Sequence, residues 1–183
     1  MENLKLLALS GSLRKSSYNT AAIQALKILA PDHAKITIGN IGDLPLFNPD
    51  REGEYIPALK QLRSALKKSD GLIIASPEYA HGISGPLKNA LDWLVSGEEF
   101  PYLPIMLINT SPRASHAQAA LREVLTTMSG NIIENLSVSI PLLGSELETN
   151  GIVANQEMAT TLRAGLHEFC QAIEALKLNK RVN

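Results

Sequence analysis

The sequence predicts an α/β protein, a five-stranded parallel sheet with helices on both faces, built as one domain over residues 1–183. Three observations predict it. Strand-like and helix-like segments alternate five times along the chain. Two of the strand-like runs, GLIIAS (71–76) and PIMLINT (104–110), are almost continuously apolar, as strands covered on both faces tend to be. Finally, the two most unusual loops, SGSLRKSSYN and SPEYAHGISG, follow the first and third of those strands.

Taken in order, the first strand is read over Leu4–Ser10; its apolar core is too short for a secretory leader and carries a lysine. A periodic segment over Tyr18–Leu29 reads as helix, and Ala34–Gly39 as the second strand. Residues 40–55 hold enough Pro, Gly and Asn for an irregular loop. A helix over Ile56–Lys68 follows from Leu59, Leu62 and Leu66, spaced three and four apart. The third strand is Gly71–Ser76, and a helix over Gly85–Val95 opens on Gly-Pro, with proline in its first turn. Ile105–Thr110, a helix over Ala117–Ser129, a fifth strand over Ile132–Ser139, a loop over 140–155 and a helix over Gln156–Leu176 complete the alternation.

Composition excludes several classes. An apolar fraction of 45% with 19% charged residues is that of a folded chain. A net charge of −1 and 4% aromatics supply neither the basic field nor the stacking platforms of a nucleic-acid binder. There is no apolar run of membrane-spanning length. The one cysteine, Cys170, supports neither an internal disulfide nor a cysteine-rich metal site. No histidine pair has ligand spacing, so no metal is expected. The expectation is a cytoplasmic protein with neither membrane nor nucleic acid as partner.

In an open parallel sheet of order 2-1-3-4-5, ligands lie beyond the carboxyl ends of the strands, in the crevice between the first and third. Both unusual loops fall there. In the first, Gly11 permits a tight turn. Ser12, Ser16, Ser17 and Asn19 offer short donors beside a helix N-terminus, and Arg14 brings a forked cation suited to phosphate oxygens. Ser17 or Asn19 is also expected to cap the helix. No Gly-Lys-Ser/Thr closes the loop and G-x-G-x-x-G is absent, so a P-loop and a dinucleotide fingerprint are both disfavoured. A terminal monophosphate fits. In the second loop Pro77 and Gly82 stiffen the chain, Tyr79 offers a flat face, and the amides of Glu78 to Ala80 suit the polar rim of a planar heterocycle. Glu78 is either a proton donor or, preferred, a structural anion paired with an arginine. Trp93 reads as a core or interface aromatic.

GSLRKSSYN followed by SPEYAHGISGPLKNALDWL resembles the NAD(P)H-dependent FMN reductase family, over Leu4 to about Leu143. The resemblance implies a flavodoxin-like three-layer sandwich and an enzyme that takes FMN as cofactor and NADPH or NADH as co-substrate. Ser12, Arg14, Ser16, Ser17 and Asn19 would then hold the phosphate, while Pro77, Glu78, Tyr79 and Ala80 line the ring. Thr110–Ser111 would approach the ring from the other side. Glu78, Tyr79 and Ser111 position the ring, and no side chain is an obligatory acid or base. The implied cycle is ping-pong, NAD(P)H first and then a small acceptor: a quinone, an azo compound, a metal oxyanion or free flavin. A homodimer or homotetramer is also implied.

Two departures stand out. Ala80 replaces an asparagine of many relatives, and PRASHAQAALRE replaces a glycine-rich loop after Ser111. Arg113 and His116 there either meet the 2′-phosphate of NADPH or form the solvated first turn of a helix starting at Ser115. His81 is expected to hydrogen-bond within its loop, His33 and His167 to lie on the surface, and Cys170 to pack in a helix core. The competing readings are a flavodoxin-type carrier without NAD(P)H turnover, a colourless nucleotide-binding regulator, and a response-regulator-like domain. The last needs an acidic pocket where Ser10, Ser76 and Thr110 stand.

Overall fold

In the computed structural model, which describes residues 3–133 and 136–182, the sheet is parallel with the expected connectivity. Its strands are β1 (Leu4–Ser10), β2 (Ala34–Gly39), β3 (Gly71–Ala75), β6 (Pro104–Asn109), β7 (Asn131–Ile132) and β8 (Val138–Ser139); β4 (Glu78–Tyr79) and β5 (Gly82–Ile83) form a separate hairpin. The order is β2-β1-β3-β6, with β7 and β8 both beyond β6. β7 pairs with the start of β6 and β8 with its end. The fifth strand expected over Ile132–Ser139 is thus two short pieces, and residues 134 and 135 between them lie outside the described residues.

The helices are α1 (Tyr18–Leu29), α2 (Pro57–Lys67), α3 (Gly85–Leu94), α4 (Ser115–Thr127), α5 (Thr149–Ala154) and α6 (Gln156–Val182). Alternation along each central strand divides the core in two. Leu4, Leu6 and Ala8 of β1, Ile73 of β3 and Met106 of β6 face α1 and α6. Leu7, Leu9, Leu72, Ile74, Ile105 and Leu107 face α2, α3 and α4. Burying such a side chain stabilises by about 1.5–3 kcal/mol, and every one of these is at most 1% exposed. Gly71 is set by close approach: a Cβ there would stand 2.8 Å from Phe169 Cζ and Ile173 Cδ1 of α6.

Several boundaries differ from those read in the sequence. α4 starts at Ser115, as the alternative reading of the segment after Ser111 had it and two residues before the periodic segment at Ala117, and ends at Thr127, short of Ser129. α6 runs to Val182, beyond Leu176; there Lys177 Nζ meets Asp70 Oδ1 at 2.7 Å and pins the helix beside the sheet. The loop over 140–155 contains α5, whose Ile152 is fully buried. Asn155 ends α5 and its Oδ1 accepts from the Met158 amide, starting α6.

The loop over 40–55 is held by α3. Trp93 Nε1 donates to the Pro45 carbonyl at 2.8 Å, and Phe47 meets the Trp93 ring edge-on. Asn89 donates to the Pro45 carbonyl and accepts from the Phe47 amide. Trp93 is therefore a core aromatic of this chain. Cys170 is 2% exposed on α6, and burial together with Glu174 pushes its thiol up to about 11, so it packs and does not react. His33 is half-buried instead of lying on the surface, its Nε2 enclosed without a hydrogen-bond partner among the described residues. His167 is exposed and meets Gln171.

Candidate active site

Three loops leave the carboxyl ends of β1, β3 and β6 and enclose one cleft of about 350 Å³. That lies at the lower end of the roughly 300–1,000 Å³ common for small-molecule sites. The parallel sheet makes this inevitable: strands that run together end together, and their loops open on one edge.

The first loop turns at once. Ser10 Oγ accepts from the Ser12 amide, and Ser12 Oγ from the Arg14 amide. Ser17 is the N-cap of α1, its hydroxyl accepting from the Thr20 amide at 3.4 Å. The other first-turn amides face the cleft's end of the helix dipole. Gly11 has a reason other than the left-handed conformation expected of a tight turn. A Cβ there would lie 2.9 Å from Ser76 Oγ and 3.0 Å from Ser84 Oγ, so glycine lets the first and third loops touch. Ser84 Oγ donates to the Gly11 carbonyl across that contact and also caps α3.

Ser12, Arg14, Ser16, Ser17, Asn19, Pro77, Glu78, Tyr79 and Ser111 all line the cleft. Ala80 does not. It sits at the tip of the β4–β5 hairpin, where Ala80 (φ 48°) and His81 (φ 60°) are both left-handed, as a two-residue hairpin turn of the primed type needs. Asn19 is 5% exposed, and its Oδ1 accepts from Thr110 Oγ1 at 3.1 Å, which ties α1 to the end of β6. Arg14 has no carboxylate partner among the described residues.

Glu78 is an anion in a structural role, but its partner is a helix end and not an arginine. Its Oε2 accepts from the Ala117 amide at 2.8 Å, in the first turn of α4. Ala114, the residue before α4, supplies no side-chain cap, so Glu78 takes that role from another element. His81, expected to hydrogen-bond within its loop, stacks on His116 instead, centroids 4.3 Å apart and planes 14° from parallel. His116 belongs to the first turn of α4, while Arg113 just ahead of it lines the cleft.

Sequence reasoning missed Tyr18, Ala114 and Leu143 as wall residues. Leu143 arrives from the 140–155 loop, brought in because the Leu142 amide donates to the Thr110 carbonyl at 3.0 Å. No local pattern announces that contact. Among the described residues no group of three His, Cys, Asp or Glu is placed to hold a metal. None of the helices described is long and apolar enough to cross a membrane.

Hydroxyls, Arg14 and a helix N-terminus form one wall of the cleft, with Pro77, Tyr79, Ala114 and Leu143 on the others. The chain belongs to the NADPH-dependent FMN reductase family, whose sequence profile matches residues 4–142. It is 29% identical over 183 residues to an NAD(P)H-dependent FMN reductase of Pseudomonas aeruginosa, covering 97% of this chain and 95% of that one. An NADH-dependent flavin reductase subunit of Lactobacillus johnsonii is 30% identical over 182 residues, covering 93% and 98%. Among solved structures, the NAD(P)H:acceptor oxidoreductase FerB of Paracoccus denitrificans superposes with a TM-score of 0.76 at 26% identity, covering 94% and 98%. The protein is accordingly an oxidoreductase that uses FMN and NAD(P)H.

Proposed function

We propose that the cleft holds FMN with its phosphate at the N-terminus of α1 and its ring between the β3 and β6 loops, and that NAD(P)H and a small acceptor use the remaining open side in turn. The observation that carries this is Arg14, without a carboxylate partner among the described residues, beside Ser12, Ser16, Ser17 and Asn19 in one cleft. These residues fit the cofactor: a dianion needs a cation, hydroxyls and free amides, and all three are present. When bound, the flavin supplies the two-electron chemistry that joins a hydride donor to an acceptor.

The protein's part is positional. Ser17 caps α1 and so fixes the amides that meet the phosphate. The Asn19–Thr110 bond holds the phosphate wall against the ring wall, and the Glu78–Ala117 bond joins the two ring-side loops. Tyr79, half exposed, and Pro77 offer flat surfaces at ring height. Because donor and acceptor share one opening, each must leave before the other binds, which is ping-pong order. A quinone is the favoured acceptor, since relatives that include one in Escherichia coli are named quinone reductases. The two halves of the core pack on the two faces of one sheet, which supports one domain; a dimer or tetramer rests on the resemblance, and the cytoplasm on the single cysteine.

The test is Arg14→Ala, read by titrating the apoprotein with FMN. One lost hydrogen-bonded ion contact costs about 1.5 kcal/mol, or tenfold in Kd. An unchanged Kd would remove the phosphate from this loop.

A further inference from the structure

The cleft holds a second cation outside the loop that suits the cofactor's phosphate. Its charged lining residues are Arg14, Glu78 and Arg113. Glu78 is committed to the Ala117 amide. Arg14 stands in the hydroxyl-rich loop that suits the cofactor's phosphate. Arg113 is left over: exposed, with no carboxylate partner among the described residues. It enters from the loop after β6, two sheet positions from β1 and so about 10 Å from the Arg14 loop at normal strand spacing. A short turn presents it, with Ser111 Oγ accepting the Arg113 amide and the Ser111 carbonyl accepting that of Ala114.

Stacked histidines tie down the start of α4, the helix that follows Arg113. The hairpin turn carries Ala80 and His81 at left-handed positions where Asn-Gly is the comfortable choice. Residues held in such conformations mark sites where geometry has been kept for a purpose. Here the strained turn lays His81 flat on His116, three residues along the chain from Arg113, and ties the hairpin tip to the first turn of α4.

We propose that Arg113, on the wall of the cleft just ahead of α4, is an anion subsite for a phosphate of the reducing nucleotide. The assignment builds on the functional reading above. The reductant is the substrate certain to bring phosphate: NADH carries a pyrophosphate, and NADPH adds a 2′-phosphate. Arginine is the side chain whose forked donors match such oxygens.

The experiment is steady-state kinetics of the FMN-saturated protein with NADPH, NADH and a neutral benzoquinone, for wild type, Arg113→Ala, Arg113→Lys and His81→Gly. In Arg113→Ala the nucleotide KM is expected to rise about tenfold with kcat changing less than threefold, and lysine to recover part of it. The salt dependence of kcat/KM should flatten in the alanine variant. A rise with NADPH alone assigns the 2′-phosphate; a rise with both nucleotides assigns the pyrophosphate. His81→Gly relieves the turn while deleting the stack, so a raised nucleotide KM there cannot come from a collapsed hairpin. The subsite is overturned if the nucleotide KM of Arg113→Ala stays within twofold, if the quinone KM moves in parallel, or if FMN affinity falls instead. Wild-type protein that neither nucleotide reduces would overturn the functional reading itself.

Discussion

Removing the Glu78 carboxylate should loosen one wall of the cleft without removing any chemistry. Its Oε2 accepts from the Ala117 amide at 2.8 Å, and Ala117 is 1% exposed, so water replaces the lost partner poorly. Glu78→Ala therefore combines a lost helix cap with a stranded amide, together about 2 kcal/mol. For a chain of this length that lowers Tm by about 4–8 °C. Glu78→Gln keeps an acceptor oxygen and loses only the charge against the helix dipole, about 0.5 kcal/mol, or 1–2 °C. The assay is thermal unfolding followed by far-UV circular dichroism, with FMN at one fixed excess because bound ligand shifts Tm. Turnover is measured on the same samples. Equal losses for the two variants would refute the cap. So would a kcat in Glu78→Gln reduced fiftyfold or more with Tm intact, since that is the signature of a proton donor.

Two further outcomes follow from packing. Gly11→Ala should cost about 2 kcal/mol and lower Tm by several degrees, because its Cβ would press on Ser76 Oγ, Ser76 Cα and Ser84 Oγ at 2.9–3.2 Å; calorimetry of an equally stable variant would show that the two loops do not touch. Cys170 should resist an aromatic disulfide reagent at pH 8 in the native state and react on unfolding, its thiol being raised to about 11 from 9.0 by burial and Glu174. A thiol raised on folding stabilises below its unfolded value, and that contribution is lost as pH climbs from about 9 to 11. The loss is on the order of 2 kcal/mol and is read as a Tm difference between wild type and Cys170→Ala across that range. Prompt native-state labelling would refute the burial.

Much of the fold was legible because its signals are local. Continuous apolar runs mark strands covered on both faces, and Leu59, Leu62 and Leu66 recur with the helical period. The β1 loop could be read residue by residue for the same reason: Ser17 caps the helix that it precedes. Reading failed where pairing partners lie far apart. The last strand breaks into β7 and β8 because each pairs with a different half of β6. The β4–β5 hairpin escaped notice because Ala-His occupies a turn where Asn-Gly would announce it.

By itself, then, the sequence determined the strand and helix alternation, the location of the cleft at the β1 and β3 loops and the anionic character of its ligand. Each segment and loop was recognised from residues within a dozen positions of one another, and a topology rule joined the two loops. Tertiary structure alone decided that Glu78 caps a helix 39 residues away, that Asn19 locks onto Thr110 across 91, and that His81 lies on His116. Such contacts depend on which loops the parallel sheet brings to one edge, and that is fixed only when the whole core has packed.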